Sequence, residues 1–185
     1  MHQVSLRDSR SARNDRRWIE GVYRDYLNDL APTATGIFPA LGEVGHREPD
    51  LLLRWFADRT AQVLTILYNN EPVGFAMVRR RSLAQATPAA GAGRAADAAA
   101  TGTTEFSMAE FFIARPWRRR GIGAQAVRLL FDRFDGQWRI SEHVRNTVAV
   151  NFWRRVVAAY TQGKYQERIV DGEVQQRFAS GPQRR

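Results

Sequence analysis

Apolar positions along this chain follow two periods, one helical and one of strands. Between residues 9 and 30, Trp18, Ile19, Val22, Tyr23, Tyr26, Leu27 and Leu30 recur at three- and four-residue steps. That spacing predicts one face of an amphipathic helix, ended by Ala31-Pro32. Over 121–134, Ile122, Ala126, Val127, Leu130, Phe131 and Phe134 share a face, and Gly136 is a stop signal. Over 147–158, Val148, Ala149, Phe152, Trp153, Val156 and Val157 point inward, with Asn146 placed to cap the helix. A shorter helix is predicted over 49–57, with Pro49 near its first turn.

Strand character appears over 3–7, 62–68, 73–80, 105–114, 137–142, 165–170 and 173–178. Asn69-Asn70-Glu71-Pro72 joins the second strand to the third, and Asp171-Gly172 joins the last two, so both pairs read as hairpins. Pro72 falls at the turn or at the start of a strand, where its missing N–H does least harm. The predicted order is β-α-α-β-β-β-α-β-α-β-β, an α/β (α+β) fold with a mixed, partly antiparallel sheet. At 185 residues the chain suits one domain, expected over 1–180 with a frayed tail at 181–185. The stretch 82–104 is rich in Ala and Gly with no large apolar residue after Leu83, and is expected to be a flexible insert rather than a domain boundary.

Composition narrows the chemistry. The chain has no Cys, which removes disulfides, thiolate nucleophiles and Cys-ligated metal. His2, His46 and His143 are far apart and form no metal-binding pair, so no metal is expected. No run has the length of a signal-peptide core or a membrane span, and a cytoplasmic location is the default expectation. The 28 Lys and Arg against 19 Asp and Glu give a formal charge of +9, and Lys164 is the only Lys. Such a balance favours phosphate-bearing partners, either nucleic acid or an anionic cofactor. No helix combines a basic face with base-stacking aromatics, which argues against a nucleic-acid-binding module despite the Arg clusters at 79–81 and 118–120.

The most informative segment runs Phe111-Phe112-Ile113-Ala114-Arg115-Pro116-Trp117-Arg118-Arg119-Arg120-Gly121-Ile122-Gly123-Ala124. A strand enters a basic turn, then two glycines one residue apart, then an amphipathic helix. Glycines permit close backbone approach to a ligand, and the helix start offers unpaired N–H groups at the positive end of its dipole. The combination suits a phosphate. Alternatively, the glycines make only a tight turn and the arginines are solvated. The loose form G-x-G-x-x-A of a dinucleotide fingerprint is also met, with Glu142 about the right distance on, although six residues separate the strand from the first glycine. No Gly-Lys-Ser/Thr is present, so a Walker loop is excluded.

Arg118-x-x-Gly121-x-Gly123 resembles the pyrophosphate-binding signature of the GNAT superfamily of N-acetyltransferases. Asn146-x-x-Ala149-x-x-Phe152-Trp153 is similar to that family's later helix motif, N-x-x-A-x-x-F-Y. The hairpin ending Glu71-Pro72-Val73-Gly74-Phe75-Ala76 resembles its central strand pair, and the element order fits from about residue 3 to 178. Among members, the chain looks most like bacterial proteins of unassigned substrate with a Phe-Trp-Arg-Arg helix followed by Tyr-Thr-x-Gly.

The resemblance implies a six- to seven-stranded sheet flanked by about four helices, splayed between strands near 109–114 and 137–142. It implies acetyl-CoA as cosubstrate and an amine, on a small molecule or a protein, as acceptor, in a monomer or homodimer. The amine would attack directly in a ternary complex. Backbone groups near Phe112 and Ile113 would bind the pantetheine arm, and Arg118, Arg119, Arg120, Gly121, Ile122, Gly123 and Ala124 would hold the pyrophosphate, largely by N–H groups. Asn146, Phe152 and Trp153 would line the far side of the slot. Glu110 is either the general base or a structural carboxylate paired with an arginine. Trp153 stands where the family carries a Tyr acid and cannot donate that proton usefully; Tyr160 could replace it only if the helix reaches that far. An acyl-CoA-binding regulator without catalysis is the alternative of the same fold. Asp25, Asp29, Glu43 and Glu48 could attract a cationic acceptor or simply be solvated.

Overall fold

The computed structural model describes residues 3–34, 51–82 and 104–181. Glu43, Glu48, the C-terminal tail beyond 181 and the candidate insert, apart from its ends Ser82 and Thr104 in the strands, lie outside those residues. The strands are β1 (Val4–Asp8), β2 (Ala61–Tyr68), β3 (Glu71–Ser82), β4 (Thr104–Ile113), β5 (Gly136–His143), β6 (Gln166–Val170) and β7 (Glu173–Ser180). The helices are α1 (Arg13–Ala34), α2 (Leu51–Ala57), α3 (Ile122–Arg133) and α4 (Thr147–Thr161). Element order and type follow the periodicity throughout. Two helix ends differ from the expectation. Helix α1 continues through Pro32, whose missing N–H costs only one bond in a final turn, and α4 runs on to Thr161.

One seven-stranded sheet, ordered β1-β2-β3-β4-β5-β7-β6, carries two cores. Every neighbouring pair is antiparallel except β4 and β5. On one face Ile19, Tyr23 and Tyr26 of α1 pack with Phe75, Met77 and Phe112. On the other, α3 and α4 bury Leu130, Phe131, Trp153 and Val157 against Phe106, Trp138 and Phe178. Polar ties fix the edges. The Arg7 guanidinium grips the buried Asp15 carboxylate through two 2.6 Å bonds, joining β1 to α1. Arg10 donates to the carbonyls of Trp55, Phe56, Asp58 and Ala61, closing the end of α2.

Strand β4 decides where a site can form. Its register with β3 slips between Met77 and Val78, so that Glu110 faces Met77, Met108 faces Val78, and Ala109 is the extra residue of a bulge. Side chains alternate along a strand, so the bulge reverses which face each one takes. Phe106 and Met108 lie in the α3/α4 core before it, and Phe112 lies in the α1 core after it. Beyond the bulge β4 stays bonded to β3 but leaves β5: parallel pairing covers only Glu105–Ser107 against Gln137–Arg139.

Gly74 of β3 sits where this arrangement is tightest. A Cβ there would run into the Phe112 carbonyl oxygen and come 2.8 Å from Ile113 Cδ1. Gly74→Ala therefore forces β3 and β4 apart, with an expected loss of about 1–3 kcal/mol, measurable as a lower urea midpoint at unchanged slope.

Candidate active site

Where β4 and β5 part, a cleft of about 750 Å³ opens. Its walls come from α1, β4, the turn after β4, the start of α3, β5 and the start of α4. The Ala114 N–H bonds the Val73 carbonyl at 2.9 Å. By the alternation of an antiparallel ladder, the backbone groups of Phe112 also turn toward β3, and those of Phe111 and Ile113 turn toward the cleft. Phe112 borders the cleft, but the strand-like hydrogen-bonding groups expected near it belong to its two neighbours. The Ile113 carbonyl is already engaged by Arg118 Nε at 2.6 Å, which leaves the Ile113 N–H as the donor.

The turn between β4 and α3 leaves the start of the helix without a side-chain cap. After a single 3₁₀ turn, Arg115–Trp117, the backbone takes positive φ at Arg119 (59°) and at Gly121 (78°). Gly121 is the N-cap of α3 and offers no side chain, so the first N–H groups of the helix have no capping partner. The first intrahelical bond there runs from Gln125 N–H to the Gly121 carbonyl, 3.1 Å. Gly123 faces α4, where a Cβ would make ordinary contact with the Phe152 ring at 3.4 Å. Arg119, Gly121, Gly123, Ala124 and Arg155 all border the cleft beside these N–H groups.

Three residues expected at the pyrophosphate stand differently. Arg118 borders the cleft, yet its guanidinium is spent on the Ile113 carbonyl and on a close ion pair with Asp29 of α1, above the Phe112 ring. Arg120 stacks on Trp117 and does not border the cleft. The Ile122 side chain is buried in the core, leaving only its N–H to face a ligand. Asp29 also binds Arg115 Nη2 at 2.5 Å, so this acid braces α1 against the turn. These cations hold its carboxyl below the usual range against the opposing effect of desolvation.

On the opposite wall, Asn146 caps α4 by accepting the Ala149 N–H at 3.3 Å, and its Nδ2 donates to Glu142 Oε1 at 3.0 Å. Phe152 stacks on Phe111 at 5.7 Å, and the Trp153 indole packs edge-on against Phe111 at 5.4 Å. Tyr160 is within α4 but not in the cleft. Its hydroxyl donates to Asp132 Oδ1 at 3.0 Å, and its ring packs on Phe131 and Phe178. Asp132 lies nine residues beyond Gly123, about 13 Å along the helix axis. Burial and the Asp132 contact push the Tyr160 hydroxyl up to about 12, so its expected role as an acid at the slot is withdrawn.

Glu110 follows the bulge onto the α1 face, where the Tyr26 hydroxyl donates to its carboxylate. Among the described residues no ion pair involves Glu110, which sets aside its reading as an arginine-paired acid. Burial first, and the Glu142 carboxylate second, push its carboxyl up to about 8. Glu142 is itself raised by burial, against its bonds from Asn146 and the His143 N–H. Glu142 and Tyr26 both border the cleft and were not anticipated as site residues. In the sequence, the distance of Glu142 from the glycines suggests only a ribose ligand, and the spacing of Tyr26 marks it as core. Among the described residues no group of His, Asp or Glu could hold a metal ion, and no helix is long and apolar enough to cross a membrane.

The raised Glu110 carboxyl has a cost that depends on pH. An unfolded Glu releases its proton near 4.5 and the folded one near 8, so between these values the native state holds an extra proton. Stability therefore falls as pH rises through this window, by about 1.4 kcal/mol per unit. Glu110→Gln should flatten that slope and melt above wild type at the alkaline end, read by thermal melts across the window; the residual slope belongs to Glu142.

The model of the Acetyltransferase (GNAT) family matches residues 23–158. No curated protein sequence matches the chain. Among solved structures, the fold is similar to a GNAT-family acetyltransferase from Streptococcus agalactiae, at 14% identity and TM-score 0.60 over 97% of this chain and 95% of that one. It is similar to an acetyltransferase from Thermus thermophilus, at 16% and 0.56 over 97% and 99%. It is also similar to Arabidopsis thaliana NAA60 in complex with acetyl-CoA, at 11% and 0.54 over 97% and 98%. The family match runs from Tyr23 in α1 to Ala158 in α4 and so takes in both walls of the cleft: the chain belongs to the GNAT family of acetyltransferases.

Proposed function

We propose that this protein is an N-acetyltransferase that binds acetyl-CoA in the cleft between β4 and β5 and passes its acetyl group to an amine. The observation that carries the reading is the uncapped start of α3. Positive φ at Arg119 and Gly121 turns free N–H groups onto the cleft at the point where β4 leaves β5. A diphosphate is the natural ligand of such a cradle. The acetyl-CoA held by the Arabidopsis thaliana structure of the same fold supports that ligand here.

The N–H groups of Ile122, Gly123 and Ala124 would hold the diphosphate, with the Arg119 and Arg155 side chains beside it. The Phe111 and Ile113 backbone would pair with the amides of the pantetheine arm as a further strand would. Bound acetyl-CoA supplies an activated thioester carbonyl. The Ile113 N–H is the donor in the slot that can stabilise negative charge growing on that oxygen. Glu110 is the proton acceptor for the amine, because a carboxylate poised near 8 is a far better base than an ordinary one. Neither Trp153 nor Tyr160 supplies an acid, and a thiol leaving group of pKa about 8.5 can leave as the thiolate and take its proton from water.

Calorimetric titration with acetyl-CoA tests the ligand. Wild type should bind in the micromolar range. Gly121→Asp, which puts a carboxylate and a strained φ into the cradle, should weaken binding at least ~10-fold, about 1.4 kcal/mol. Arg118→Ala should lose less, because its guanidinium is already committed to Ile113 and Asp29. Transfer is then read as thiol release with a panel of primary amines, and kcat/KM for the amine should rise with pH through about 8 as Glu110 ionises. Absence of binding overturns the proposal. Binding without transfer to any amine favours the non-catalytic regulator, the reading to which the missing α4 acid also points.

A further inference from the structure

The proton acceptor proposed above sits behind the cleft wall. Glu110 lies on the α1 face of β4 and is not among the residues that border the cleft, whereas Tyr26 borders it and donates its hydroxyl to the Glu110 carboxylate. A proton leaving an amine in the cleft therefore meets the Tyr26 oxygen before it meets the carboxylate. We propose that Tyr26 is a catalytic residue of this protein: its hydroxyl carries the proton from the acceptor amine to Glu110.

A phenolic hydroxyl can accept one hydrogen bond while donating another, which is the requirement for such a relay. The ring is held independently of the hydroxyl. It packs edge-on against Phe75 at 5.4 Å and against Phe112 at 5.7 Å, so the oxygen is aimed by aromatic packing on the sheet. Tyr23, one turn earlier on α1, provides an internal comparison. Among the described residues its buried hydroxyl has no hydrogen-bond partner, and the residue does not border the cleft. Both tyrosines lie near the Glu110 charge, but among the described residues only Tyr26 both hydrogen-bonds that carboxylate and borders the cleft.

The step balances. An N–H proton of the amine passes to Tyr26 Oη while the Oη–H proton passes to Glu110 Oε2. The nitrogen loses one proton, the carboxylate gains one, and the tyrosine ends as it began. The freed nitrogen lone pair forms the C–N bond to the acetyl carbon as the C–S bond breaks, and the sulfur leaves with that electron pair.

This inference rests on the acetyl-transfer reading, and one set of four proteins separates the two. Wild type, Tyr26→Phe, Tyr23→Phe and a protein with 3-fluorotyrosine at position 26 are compared with acetyl-CoA as donor. The probe amines are ethanolamine, phenethylamine and glycylglycine, and thiol release is the readout. All four should bind acetyl-CoA with equal affinity by calorimetry. Tyr26→Phe should lower kcat on the order of 10²-fold at unchanged KM for acetyl-CoA, Tyr23→Phe should stay within about twofold of wild type, and 3-fluorotyrosine should restore most of the rate. 3-Fluorotyrosine restores the hydrogen bond with a more acidic hydroxyl, so a merely structural role would return the wild-type pH profile of kcat/KM unchanged, whereas the relay shifts it. Tyr26→Phe keeping more than about half of the wild-type kcat, or a loss that fluorotyrosine leaves in place, overturns the relay and leaves acetyl transfer standing. Wild type that binds acetyl-CoA yet acetylates none of the probes overturns the relay together with transfer, and wild type that fails to bind acetyl-CoA overturns the ligand itself.

Discussion

Every feature of the candidate site depends on the hydrogen bonding of β4. The strand is committed to β3 along its length and to β5 for three residues only. Between these regimes lies the Ala109 bulge, which twists the strand and reverses its side-chain parity. Without it, Glu110 would point into the α3/α4 core with Met108, and the backbone groups of Phe111 and Ile113 would turn to β3 instead of the cleft. One extra residue therefore produces both the open slot and the placement of a carboxyl on the α1 face. Gly74 meets the same requirement from the neighbouring strand, since only a residue without Cβ fits against the Phe112 carbonyl.

Electrostatics divide along the same line. In a chain with a formal charge of +9, the arginines near the cleft are mostly occupied with structure: Arg118 and Arg115 with Asp29, Arg120 with Trp117. Of the acids around the cleft, Asp29 is paired with those arginines, while Glu142 on the wall and Glu110 behind it are left to hydroxyl, amide and backbone partners. Burying acids without cations raises both, as expected when desolvation dominates. The site thus keeps positive charge at the cradle where a diphosphate would rest, and proton-accepting capacity at the far end of the slot.

Much of the fold was legible along the chain. Helical and alternating periods placed all the described elements in the right order, and the two hairpins were readable from Asn69-Asn70 and Asp171-Gly172, whose backbone takes positive φ. The glycine turn before α3 and the cap at Asn146 were legible for a similar reason, since each is a local backbone requirement written in a few adjacent residues. Helix ends were less so. Pro32 reads as a stop but lies in a last turn where few bonds remain to be lost, and α4 continues because Tyr160 has Phe131 and Phe178 to pack against.

The roles of individual side chains depended on contacts between elements distant in sequence. Tyr26 and Glu110 are 84 residues apart, and periodicity could mark Tyr26 only as an inward-facing aromatic. Arg118 and Asp29 are 89 apart, and a motif that names an arginine cannot say that a helix acid has already claimed it. Tyr160 looked available as an acid until the packing of α3 on α4 brought Asp132 to its hydroxyl. The order of elements, the glycine turn and the family are legible in the chain, because these arise from local backbone preference and short spacings. Tertiary structure alone decided which carboxyls are desolvated, which arginines are spent and which hydroxyl stands at the cleft, because burial and pairing exist only once the sheet has brought distant segments together.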